Sequence, residues 1–109
     1  MTAHVLGELE TMVLLSVVEL GHDAYGAEVR RDVSARLGRD YSVGAIYVTL
    51  QRLEDRALLR SAQSDPLPIR GGKARRYFRA TTAGKAALRR SVESRVQVWR
   101  RLAPSPRHG

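Results

Sequence analysis

From Leu6 to Leu20 the chain reads LGELETMVLLSVVEL, in which Leu6, Leu9, Val13, Val17 and Leu20 recur at helical spacing and Met12, Leu15 and Val18 widen the apolar arc. An arc this wide predicts a helix that sits in the middle of a bundle or shares its surface between its own core and a partner chain. Gly21 is placed to end this helix and Asp23 to cap a second one, where Tyr25, Val29, Val33 and Leu37 form an i+4 ladder with Arg30, Arg31 and Arg36 outside it. Gly38 ends the second helix. Ser42 then offers an N-cap for VGAIYVTLQRLEDRA, whose Val43, Ile46, Leu50 and Leu53 make one narrow inward stripe. After Ala57 the pattern changes to two strand-like runs, LLRSAQS and ARRYFRA, separated by a Pro-, Gly- and charge-bearing loop from Asp65 to Lys73. Thr81 or Thr82 can cap a last helix, AGKAALRRSVESRVQVWRRL, in which Leu88, Val92, Val96, Trp99 and Leu102 are spaced by four, four, three and three.

The order helix, helix, helix, hairpin, helix predicts a mainly α fold with a small β-hairpin. It is the order of a winged helix-turn-helix domain, residues 1–80, followed by a dimerisation helix, residues 81–103, and a disordered tail, residues 104–109. The narrow stripe on the last helix has little of its own domain to pack against, so a second copy of the chain is the expected partner. Leu6, Leu9, Leu88, Val92, Val96, Trp99 and Leu102 are the candidate dimerisation residues.

Charge sharpens this picture. The 109 residues carry 19 Lys+Arg against 11 Asp+Glu, a net charge of +8, which favours a polyanionic partner and nucleic acid before membrane. From Pro66 onward there are twelve basic residues and one acid, Glu93, so the polyanion should meet the second half most closely. No cysteine is present, which excludes disulfides and thiolate metal sites, and the most apolar run, Met12 to Val18, is too short to span a bilayer. A soluble cytoplasmic protein is expected. His4, His22 and His108 lie in three separate regions and argue for neither a metal site nor a catalytic base, and Gly71-Gly72 sits in no phosphate-binding GxxxxGK[ST] pattern. No enzyme motif and no cofactor are expected.

Against DNA, the second helix of the motif would enter the major groove. With its inward stripe fixed, the outward set is Gly44, Ala45, Val48, Gln51, Arg52 and Asp55, with Tyr47 and Thr49 on the flanks. Gln51 and Arg52 can make bidentate contacts to adenine and guanine, Val48 can touch a thymine methyl, and Gly44 and Ala45 allow close approach. The Ser42 and Tyr47 hydroxyls can hold a phosphate near the helix start. The hairpin loop would be the wing: Gly71 and Gly72 let the backbone come close to phosphate, which Arg70, Lys73, Arg75 and Arg76 neutralise. The rival reading is a basic winged-helix module that binds RNA or protein partners without reading sequence.

Three blocks, LGELETMVLLSVVELGHDAYGAEVRRDV, SVGAIYVTLQRLEDRALL and RGGKARRYFRATTAGKAAL, resemble the PadR-like transcriptional regulators in order and spacing. The resemblance implies a homodimeric, sequence-specific repressor of double-stranded DNA with a winged-helix head and a C-terminal dimerisation helix, and it supports a DNA-contacting role for Tyr47. Some small members hold flat hydrophobic compounds in an aromatic-lined cavity between subunits, so Trp99 becomes a candidate for binding a small aromatic effector. Two departures stand out: Tyr25 occupies a position where many members carry histidine, and the C-terminal part is a single short helix, as in the smaller subgroup.

Overall fold

In a computed structural model, which describes residues 5–64 and 75–102, the apolar ladders meet in one core. The elements are α1 (Glu8–Leu20), a single 3₁₀ turn (Gly21–Asp23), α2 (Gly26–Leu37), α3 (Val43–Asp55), β1 (Leu59–Gln63), β2 (Arg76–Ala80) and α4 (Thr82–Leu102). Helix α1 is the central one and touches α2, α3, α4 and β2, which is why its apolar arc is so wide. Val13, Leu14 and Val17 from α1, Val29 and Val33 from α2, Ile46, Leu50 and Leu53 from α3, and Leu59 and Phe78 from the strands are all buried.

Strands β1 and β2 pair antiparallel, from Leu59 opposite Ala80 to Gln63 opposite Arg76. A third extended segment, which the sequence did not announce, covers the other edge of β2. Tyr25 forms a bridge with Tyr77, and the Phe78 N–H donates to the Ala24 carbonyl at 2.9 Å. The segment is too short to show a period-2 pattern, and its Tyr25 looks instead like the first rung of the α2 ladder.

The start of α4 is fixed by Thr81, whose Oγ1 accepts from the Gly84 N–H at 3.0 Å and donates to the Ala57 carbonyl at 2.7 Å. Lower down, the Thr11 and Ser91 hydroxyls share a hydrogen bond of 2.7 Å between α1 and α4, and Arg95 donates to Ser91 and to the Leu6 carbonyl. Ser91 is the last buried residue of α4, and every residue from Val92 to Leu102 is exposed.

Four expectations are corrected. Helix α2 starts at Gly26 behind Tyr25 with no side-chain cap, because Asp23 is taken into the 3₁₀ turn. Tyr25 therefore precedes the helix and is half-buried instead of heading its inward ladder. Val43 is 55% exposed: it opens α3 at its solvent end, and the inward stripe is Ile46, Thr49, Leu50 and Leu53. Buried Thr49 satisfies its hydroxyl by donating to the Ala45 carbonyl at 2.9 Å. Leu6, expected at the dimer seam, is 4% exposed and packs into the core of its own chain just before α1.

Candidate nucleic-acid interface

Helix α3 begins as its sequence dictates, with Ser42 in extended backbone and its Oγ accepting from the Ala45 N–H at 3.1 Å. Its four core residues turn the opposite side outward. Gly44, Val48, Gln51, Arg52 and Asp55 are exposed and Ala45 is half-buried, so the groove-reading set lies on one open face. A side chain built at Gly44 would meet nothing within 4 Å. Gln51 donates to Asp55 Oδ1 at 2.9 Å, one helical turn away, so its amide is oriented by its own helix. The exposed Arg52 side chain makes no hydrogen bond or ion pair among the described residues, so its donors are free to meet a partner.

Tyr47 lies on the flank, 38% exposed, with its ring against the start of α2. A Cβ at Gly26 would stand 2.1 Å from the Tyr47 hydroxyl oxygen, so the glycine makes the room that the phenol occupies. The hydroxyl therefore sits beside the N-terminal end of α2, close to the side of the motif that crosses a DNA backbone.

The wing residues divide. Arg70, Gly71, Gly72 and Lys73 lie outside the described residues. Arg75 and Arg76 do not stand free. Arg75 Nη2 donates to Glu28 Oε1 in the first turn of α2 at 2.6 Å, and its guanidinium lies 4.0 Å from the centre of the Tyr25 ring. Tyr25 in turn meets Tyr77 edge to face at 6.1 Å. Burial alone would raise the Glu28 carboxyl, but the Arg75 hydrogen bond and the charges of Arg75 and Arg31 outweigh it and hold it below the ordinary carboxylate value. On the other side of the strand, Arg76 Nη2 donates to Glu54 Oε1 at 2.5 Å and Arg76 Nε to Ser61 Oγ at 2.9 Å, while Ser61 donates to Glu54 Oε2 at 2.7 Å. Glu28, Glu54, Ser61 and Tyr25 are thus site residues that sequence reasoning missed. The period-2 rule held the signal: Phe78 must face the core, so Arg76 must face the helices with it.

At the far end of the molecule, Val92 and Val96 are each 40% exposed, Trp99 67% and Leu102 77%, with Leu88 packed partly against the core. Leu9, also expected at the seam, is half-buried against the same core. No cluster of His, Asp and Glu among the described residues could hold a metal ion, and no helix there is long and apolar enough to cross a membrane.

The comparisons with known proteins agree with this arrangement. A model of the transcriptional regulator PadR-like family matches residues 14–90, from the middle of α1 to the middle of α4. The chain is 43% identical over 75 residues to the transcriptional regulator Rv3488 of Mycobacterium tuberculosis, which covers 66% of this chain and 65% of that one. Among solved structures it is similar to a PadR family transcriptional regulator from Eggerthella lenta, with 32% identity, a TM-score of 0.62, and coverage of 84% of this chain and 78% of that one. A PadR family transcription regulator from Clostridium difficile matches with 27% identity and a TM-score of 0.60 over 86% of this chain and 88% of its own. With a family match over most of its length and an open helical face above a two-stranded wing, the chain belongs to the PadR-like family of transcriptional regulators and is not an enzyme.

Proposed function

We propose that the protein is a repressor that binds a two-fold operator as a homodimer and is released by a small aromatic effector. The observation that carries the reading is the outer face of α3. Four core residues lock one side of this helix, while Gly44, Ala45, Val48, Gln51 and Arg52 are presented together on the other, with Arg52 unpaired among the described residues. A helix that serves only as a solvated surface has no need of small residues beside a partner-free arginine at groove-reading positions. Ser42 and Tyr47 would hold backbone phosphates at its start, and the wing tip, Arg70 to Lys73, would lie on the flanking backbone. Exposed Val92, Val96, Trp99 and Leu102 on the projecting half of α4 support a second copy of the chain as the partner of that helix. Trp99, the largest of them, would line the space between protomers where a flat apolar compound can stack.

The test is Arg52→Ala, titrated on duplexes enriched from a random DNA pool and on a random duplex. Binding to the enriched duplex should weaken by about 1–3 kcal/mol and binding to the random duplex much less, since base contacts carry specificity. Equal loss on both would make Arg52 a phosphate contact. Wild-type binding that ignores sequence, or prefers RNA, would replace the reading by that of a non-selective basic module.

A further inference from the structure

Neighbouring residues of a strand point to opposite faces, so consecutive Arg75 and Arg76 leave β2 and the residue before it in opposite directions. Each ends on a carboxylate of a different helix. Arg75 reaches Glu28 in the first turn of α2 at 2.6 Å, and Arg76 reaches Glu54 in the last turn of α3 at 2.5 Å. Both grips are braced. Tyr25 stacks under Arg75, and Ser61 of β1 closes a three-membered ring with Arg76 and Glu54. All four charged side chains are partly shielded, with between 25% and 38% of their surface exposed, where an ion pair loses less to water than on an open surface. The hairpin is a two-stranded ribbon, which has little rigidity of its own. Besides these grips, the hairpin is held to the helices by buried Leu59 and Phe78, by the short bridge at Tyr25 and by Arg79, which donates to the Gly21 carbonyl at 2.8 Å. Of these contacts, only the two grips end on carboxylates of α2 and α3.

We propose that Glu28 and Glu54 are positioning residues for DNA reading: by gripping β2 from both faces they fix the angle between wing and recognition helix, and so the distance between the bases read by α3 and the backbone under the wing. The inference rests on the DNA-reading function proposed above. It makes Arg75 and Arg76 struts, and leaves the phosphate contacts of the wing to its tip. A carboxylate near DNA ordinarily repels it, so the two possible roles of Arg76 predict opposite signs for the same substitution. If Arg76 is a strut, removing the Glu54 charge loosens the wing and weakens operator binding. If Arg76 contacts phosphate, removing that charge frees the guanidinium and strengthens binding to every DNA.

The experiment compares wild type, Glu54→Gln, Arg76→Gln, their double variant and Glu28→Gln on a duplex enriched by the wild type from a random pool and on a scrambled duplex, across a range of salt, with thermal melts of each protein. Expected is about a tenfold loss on the enriched duplex for Glu54→Gln and Arg76→Gln, no greater loss in the double variant, and a smaller loss for Glu28→Gln. The scrambled duplex and the salt slope should stay unchanged, because the count of phosphate contacts is the same. Tighter binding by Glu54→Gln, a salt slope lowered by Arg76→Gln, or equal losses on both duplexes that track the melting temperature would each overturn the inference while leaving the regulator reading intact. A wild type that discriminates between no duplexes overturns that reading itself, and this inference with it.

Discussion

At Gly84 the lack of a side chain decides where the last helix can begin. A Cβ there would stand 2.0 Å from the Leu58 carbonyl oxygen, and that oxygen also accepts the Thr81 N–H. Backbone atoms held by a hydrogen bond cannot swing aside, so Gly84→Ala must push α4 off the turn between α3 and β1. The loss of stability should be about 1–3 kcal/mol in chemical denaturation, more than the helix propensity gained. Unchanged stability would mean that the turn yields. Gly26 is crowded too, but by the end of the Tyr47 side chain, which can rotate away. Much at this scale was legible in the sequence. Ser42 caps the helix it was expected to cap, and of the two threonines offered for the last helix Thr81 is the one that does so, since a hydroxyl before an apolar periodic run has one obvious acceptor role. Asp23 was misread because a cap depends on where the backbone enters the helix, and the 3₁₀ turn shifts the entry to α2. Val43 was misread because it opens α3 at the helix's solvent end, short of the core.

At the scale of elements, the periodic segments foretold the four α-helices and both strands, though not the 3₁₀ turn, because each of the former buries one face against a core and the spacing of apolar residues records that face. The ion pairs that join elements leave no such periodic trace. Glu28 and Arg75 are 47 residues apart, and only the fold brings them together. Their contact has a pH signature. The Glu28 carboxyl titrates below its ordinary value of 4.5 in the folded protein, so the unfolded chain takes up its proton first as the solution is acidified. The stabilisation is therefore complete above about pH 4.5 and fades as pH falls through the lower folded-state value. In denaturation series on wild type and Glu28→Gln, the difference should be about 1 kcal/mol or less near neutrality, constant down to about pH 5, and shrinking in stronger acid. A difference that grows in acid would show that the carboxylate is not held by Arg75.

For the whole molecule, the decisive feature is what the chain leaves uncovered. Its core stops at Ser91, while α4 runs eleven residues further with Val92, Val96, Trp99 and Leu102 exposed. The sequence stripe foretold this surface, although Leu6, grouped with it as a seam residue, belongs to the core. Pairing two copies through α4 would cover the stripe and set two α3 helices on one molecule, as a helix-turn-helix reader needs for half-sites about 34 Å apart. Sequencing of the duplexes that the wild-type protein enriches from a random DNA pool tests this most directly. Two inverted half-sites, with centres about one or two helical turns apart, are predicted. Enrichment of a single unrepeated site, or of no motif at all, would contradict a dimeric reader of sequence.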